Sequence, residues 1–247
     1  MAMRIDVFPC LSDNYGFLIT DEASGLTAAI DTPDADAIAA RVEGRGLKLD
    51  YILNTHWHPD HAGGNAALKD RFGCVIWGPE EARQTGPVDH ILTAGDVFEL
   101  GGTQLDIIDL AGHTPGQIGY WDSVGHNAFV GDAIFTLGCG KVWDTMPHMW
   151  SSLLRIAKLP GDTRLFHAHE YTLVNLRFAL SIGIDAALTA RGAVLQAMRE
   201  RGDYTVPTTV AEERETNPFL VYPLRETGFE AQTAKFAEIR AAKDIFK

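Results

Sequence analysis

Short apolar runs broken by Gly, Pro and Asp fill the first 170 or so residues. They predict strands over Arg4–Phe8, Tyr15–Thr20, Thr27–Asp31, Tyr51–Thr55, Val75–Gly78, Gln104–Asp109, Ile118–Asp122, Ala128–Val130 and Arg164–Ala168. Helices are expected at Asp34–Gly44, behind Pro33, and at Asp60–Phe72, which opens after a His-x-His element and stops before Gly73. A third, Trp150–Leu159, ends at Pro160-Gly161. From Tyr171 the spacing turns helical, with Leu173–Ile182, Asp185–Arg201 and Glu230–Phe246; a Pro-containing connector, Val206–Pro223, separates the last two. The pattern therefore predicts an α/β domain over 1–172 followed by a small helical domain over 173–247.

Composition narrows the classes. The chain has 247 residues, 46% of them hydrophobic and 22% charged, an ordinary globular balance. Its formal net charge is −12, which disfavours nucleic acid and anionic lipid as partners and leaves a small molecule as the expected one. The opening MAMRIDVFPC has no long apolar core and no window suits a membrane span, so neither a signal peptide nor a transmembrane helix is expected. Three scattered cysteines, Cys10, Cys74 and Cys139, fit neither a disulfide framework nor a zinc ribbon. A cytoplasmic protein, monomeric or weakly oligomeric, is expected.

The chemistry concentrates in Asn54-Thr55-His56-Trp57-His58-Pro59-Asp60-His61-Ala62-Gly63-Gly64-Asn65. It lies where an apolar strand ends and a helix begins. In a tight turn His56 and His58 share one side of the chain, while Asp60 and His61 aim at a second point nearby. Any one of these histidines alone reads as a turn or core residue. Four donors in an H-x-H-x-D-H spacing read as a metal site, because imidazole with carboxylate suits Zn(II), Fe(II) or Mn(II). Further donors stand singly near strand ends: His113, Asp132 and His169. Together they allow His56, His58 and His113 on one ion, Asp60, His61 and His169 on a second, and Asp132 bridging, with room for a shared hydroxide.

The T-H-x-H-x-D-H-x-G-G element, with Gly112-His113-Thr114-Pro115-Gly116, Gly131-Asp132 and His169-Glu170-Tyr171, resembles the metallo-β-lactamase-fold hydrolases. Within them the chain is similar to glyoxalase II, the hydroxyacylglutathione hydrolases. Pro9-Cys10-Leu11-Ser12-Asp13-Asn14-Tyr15, Gly138-Cys139-Gly140-Lys141 and Thr216-Asn217-Pro218-Phe219 carry that narrower likeness, which runs from about Phe8 to Phe246. The resemblance implies an αββα sandwich whose loops hold two divalent ions, followed by a helical domain that covers the substrate. His169 is chosen over His167 because His-Glu-Tyr matches the family, although Ala168 stands where the family has Gly. His90, His126 and His148 match no ligand position.

The resemblance also implies a substrate side. Lys141 and Tyr171 stand at positions that contact the glutathione peptide, and Trp143 replaces the family's usual Tyr, removing a hydroxyl. Val221 occupies the first basic position after Asn-Pro-Phe, Pro223 follows, and Arg225 supplies the second cation; Lys141 and Arg225 otherwise read as solvated charge. The expected reaction is hydrolysis of an S-2-hydroxyacyl thioester such as S-lactoylglutathione, with the bridging hydroxide as nucleophile and no catalytic group beyond the metal ligands. Cys139 reads as a small buried residue. The alternatives are a persulfide dioxygenase using one iron, a hydrolase of another thioester, lactone or lactam, and a non-catalytic binding module.

Overall fold

In the computed structural model, which describes residues 3–183 and 185–246, the chain forms two compact units. The first comprises 1–109 with 116–131. Its strands are β1 (Met3–Cys10), β2 (Asn14–Asp21), β3 (Thr27–Ile30), β4 (Tyr51–Leu53), β5 (Val75–Gly78), β6 (His90–Ile91), β7 (Val97–Leu100), β8 (Thr103–Asp109), β9 (Ile118–Asp122) and β10 (Asn127–Gly131). Its helices are α1 (Ala35–Gly44), α2 (Pro59–Ala62) and α3 (Asn65–Phe72).

Strands β1 to β6 form one sheet in chain order, antiparallel through β3 and parallel from β3 to β6. Strands β7 to β10 form an antiparallel meander. Every residue of β2 is buried, as expected of a strand covered on both faces. Leu18 joins the core made with Ile38, Val42 and Leu68 of the helices, while Phe17 on the other face meets Phe129 of β10 edge-on at 5.8 Å.

One predicted helix divides. Asp60–Phe72 is α2 and α3, broken at Gly63-Gly64 because the Gly64 N–H donates to the Thr32 carbonyl instead of the preceding turn. A Cβ on Gly64 would stand 2.8 Å from that carbonyl oxygen, so the close approach requires glycine. Strands β6 and β7, which periodicity does not announce, are short and half-exposed.

The second unit comprises 110–115 with 132–247. It holds β11 (Ile134–Phe135), β12 (Gly138–Cys139), α4 (Met146–Ala157), β13 (Arg164–His167), α5 (Thr172–Ile182), α6 (Ala186–Glu200), β14 (Thr208–Thr209), α7 (Val210–Thr216), α8 (Pro218–Val221) and α9 (Phe229–Ile245). Helix α4 starts four residues before the predicted Trp150, because Thr145 caps it and Pro147 sits in the first turn, where no amide donor is needed. The expected connector Val206–Pro223 is instead β14, α7 and α8. A capping box between Thr209 and Glu212 starts α7, and Asn217 caps α8 with Pro218 in its first turn. Leu137, Leu176, Ala179, Leu188 and Leu195 pack into a core of this unit.

Candidate metal centre

In the first unit the donors follow β4. Strand pairing stops at Leu53, and the Thr55 N–H turns to the Asp31 Oδ1 at 2.7 Å. The Thr55 hydroxyl donates to Asp31 Oδ2 at 2.7 Å and lies 3.0 Å from His56 Nδ1. His61 Nδ1 lies 2.8 Å from the same Asp31 oxygen. Both rings therefore carry their proton on Nδ1, and both Nε2 atoms present a lone pair.

His56 Nε2 stands 3.0 Å from His58 Nδ1, a separation at which two ring nitrogens share a proton or a cation. His61 Nε2 is 3.7 Å from Asp60 Oδ2. The Asn14 amide donates to that Asp60 oxygen at 3.1 Å, which gives the opening Pro-Cys-Leu-Ser-Asp-Asn-Tyr element a physical task. Below, the His61 carbonyl accepts from Thr32 N and Asn54 Nδ2, at 2.8 and 2.9 Å, fixing the turn from beneath.

The second unit brings His113, Asp132 and His169 together, all buried. Asp132 Oδ2 lies 3.5 Å from His113 Nε2, and Asp132 Oδ1 lies 3.4 Å from His169 Nε2. The carboxylate thus offers one oxygen to each of two histidines from distant stretches. His113 Nδ1 donates to the Lys141 carbonyl at 2.7 Å, which again leaves the lone pair on Nε2. Gly112, with φ 137°, brings this segment so close to α4 that a Cβ would stand 2.3 Å from the Met149 Cα. Gly140 cradles the pair in the same way: its Cβ would lie 2.1 Å from the Asp132 carbonyl oxygen and 3.1 Å from His113 Nδ1.

The remaining histidines have other surroundings. His167 is buried with Nε2 2.9 Å from the Thr136 hydroxyl, and burial pushes its pKa down to about 4, so it is neutral. His148 pairs with Asp144 on the surface, and His90 stacks on Trp77. Of the residues expected on the substrate side, Tyr171 stacks on His169 with centroids 4.8 Å apart. The Trp143 main-chain N–H donates to the His113 carbonyl, the residue is 61% exposed, and the Lys141 ammonium sits 4.4 Å from its ring centroid. Arg225 stands over the Tyr222 ring and lines a cleft of about 370 Å³ with Ile182, Lys235, Glu238 and Ile239. Asp31 and Asn14 escaped the sequence reading as site residues; the polar Asp31-Thr32 closing an apolar strand was the available signal.

Each unit thus carries a cluster of imidazole nitrogens beside carboxylate oxygens, a donor set of the kind that fits a divalent transition metal. The metallo-β-lactamase superfamily model matches residues 24–169, and the model of the hydroxyacylglutathione hydrolase C-terminus matches 170–246. A hydroxyacylglutathione hydrolase of Erythrobacter litoralis is 43% identical over 99% of this chain and 100% of its own length. One from Hyphomonas neptunium is 46% identical over 100% and 99%. The chain belongs to the hydroxyacylglutathione hydrolase family. Its fold is the metallo-β-lactamase fold, of α/β class, with a C-terminal helical domain. The crystal structure of ETHE1 from Myxococcus xanthus shares that fold, with a TM-score of 0.71 at 23% identity, covering 98% of this chain and 90% of that one. Among the described residues of this family member, no helix is long and apolar enough to cross a membrane.

Proposed function

We propose that this hydroxyacylglutathione hydrolase family member cleaves an S-2-hydroxyacylglutathione, such as S-lactoylglutathione, to a 2-hydroxy acid and the free thiol. In this reading two divalent ions, zinc in the first place and iron or manganese otherwise, are held by His56, His58 and His113 on one side and by Asp60, His61 and His169 on the other. Asp132 serves both. The observation that carries the reading is the Asp132 carboxylate, which directs separate oxygens to His113 and His169. Full-length identity of 41–46% to hydroxyacylglutathione hydrolases supports the substrate class.

When bound, the ions supply Lewis acidity and a water acidified to near neutrality. The chain's own residues set the rest. Asp31, Thr55 and the Lys141 carbonyl hold the imidazole protons on Nδ1, so that Nε2 points to the ions. No side chain is required as nucleophile, and the thiols are unsuited to it: burial pushes Cys139 up to about 11, Cys74 to about 11 and Cys10 to about 12. A leaving thiol of ordinary pKa, roughly 8.5, departs as thiolate without a general acid. Lys141, Trp143 and Tyr171 bind the peptide of the thiol carrier, and Arg225, from a helical domain over 173–247, offers a cation to its carboxylate. The metal-binding domain spans 1–172, and the protein acts in the cytoplasm as a monomer or weak oligomer.

A panel of acyl thioesters tests the proposal, with the chain loaded in turn with zinc, iron and manganese. Fast turnover of S-lactoylglutathione and two metal ions per chain are expected. Lactone or lactam turnover with inert thioesters would overturn it, as would a single iron with oxygen uptake.

A further inference from the structure

Between Asp132 and Lys141 the chain makes a hairpin, β11 and β12, pairing Ile134 with Cys139 and Phe135 with Gly138. Its main-chain groups are held mostly by side chains of the helices. Asn217, buried at the cap of α8, donates to the carbonyls of Phe135 (3.3 Å) and Gly138 (2.9 Å). Asn175 of α5 donates to the Thr136 carbonyl at 3.1 Å, and Arg240 of α9 to the Cys139 carbonyl at 3.2 Å. At the tip, the Leu137 N–H donates to Glu213 Oε2 at 2.9 Å. Leu137 holds φ 59°, a conformation unfavourable to a branched side chain, and that amide bond together with its burial against Leu176 and Leu188 fixes it there.

Glu213 is fully buried, and its partners fill both oxygens. Oε2 also accepts from Asn217 at 2.8 Å; Oε1 accepts from Thr208 at 2.6 Å and from Arg191 of α6 at 2.5 Å. The cluster is therefore a satisfied polar network that reaches the hairpin through the Leu137 N–H and Asn217. The hairpin's two ends lead to Asp132 and to the Lys141 carbonyl that orients His113.

We propose that Asn217, Asn175 and Glu213 are positioning residues: through the hairpin, the C-terminal helices set Asp132 and His113 for the metal ions, beyond any part in covering substrate. The inference rests on the reading of Asp132 and His113 as ligands. It assigns the Asn of Asn-Pro-Phe a task at the metal centre.

Zinc affinity of the full-length chain, measured by chelator competition, tests this alongside amide hydrogen exchange over 134–140 in the zinc-loaded protein. Asn217→Asp keeps an oxygen for the α8 cap but loses the bonds to both hairpin carbonyls and the one to Glu213 Oε2. Asn175→Asp is a milder variant that loses only the bond to Thr136. Both are expected to speed exchange in the hairpin and to weaken zinc binding by about 10–100-fold, the usual effect of removing support behind a ligand. Ile156→Ala, buried in α4 of the same unit and outside the cluster that holds Leu137, is expected to lower the melting temperature with zinc affinity unchanged. Wild-type affinity in both Asn variants with accelerated hairpin exchange would overturn the proposal, as would an equal loss in Ile156→Ala. Identical zinc binding by wild type and Asp132→Ala would instead sink the ligand assignment beneath it.

Discussion

The donor clusters of the two units present similar groups by different constructions. In the first unit a single buried carboxylate, Asp31, orients His56 through Thr55 and His61 directly, and the donors lie within six consecutive residues. In the second unit the donors are scattered over 113–169, and orientation comes from the Lys141 main-chain oxygen, the Tyr171 ring and a hairpin clamped by helices. A local motif needs one supporting side chain because the turn already places its donors. A dispersed set needs a scaffold, because nothing in the chain between its members fixes their spacing. This contrast gives the helical domain a structural reason to accompany the fold.

Asp132→Ala should give the largest effect. It removes the carboxylate proposed to serve both ions, so metal content and thioester hydrolysis should fall together. Loss of several kcal/mol of Lewis-acid stabilisation corresponds to more than about 10³-fold in rate. Unchanged turnover would remove the second half-site from the mechanism. Asp31→Asn should come next. An amide group in place of Asp31 sets its NH2 either against the Thr55 N–H or against the Thr55 hydroxyl and the His61 Nδ1 proton, and metal affinity measured by chelator competition should drop about 10–100-fold. A smaller loss than that of Asn217→Asp would invert the contrast between the halves.

Acid unfolding separates the units in a third way. His167 titrates at about 4 when folded and near 6.5 when unfolded, because burial disfavours its charged form. The unfolded chain therefore binds more protons between those values, and the second unit loses up to about 3 kcal/mol as pH falls through that window. His167→Gln should flatten the urea midpoint between pH 6.5 and 4. In the first unit, Asp21 is held below its ordinary value by hydrogen bonds from the Ser24 N–H and hydroxyl and from Thr103. Its contribution is present above about pH 4 and lost as pH falls through the depressed folded value. Asp21→Asn should therefore alter the midpoint's pH dependence only below that point.

The smallest effect concerns the thiols. With all three buried and raised in pKa, native protein should resist iodoacetamide at pH 8, whereas denatured protein takes up three equivalents. Rapid native labelling of Cys139 would show that the hairpin opens, against the clamp proposed for it.

Much of this is legible in the sequence. Strands such as Val75–Gly78 and Ile118–Asp122 fall where periodicity predicts, and so do the helices α5, α6 and α9 to within a residue or so. The misreadings have local causes. Gly63-Gly64 splits a helix because a neighbouring carbonyl competes for the Gly64 amide, and three prolines in Val206–Pro223 hide short helices that begin on prolines or capping residues. The candidate donors His56, His58, Asp60 and His61 stand out in the sequence because they fall within six residues at one turn. Asp31, Asn14 and Asn217 do not, since an isolated Asp or Asn carries no periodicity and takes its meaning from what it reaches across the fold.

What the amino-acid order determined by itself was the kind of chemistry: donor types, their local spacing and the family to which they belong. Tertiary structure alone decided which nitrogen of each imidazole carries the proton, which carbonyls the helical side chains grip, and that Glu213 ends buried among donors. The physical reason is range. Hydrophobic period and turn geometry act over a few residues, whereas tautomer and hydrogen-bond complement depend on distant groups, 82 positions away for Asn217 and Phe135.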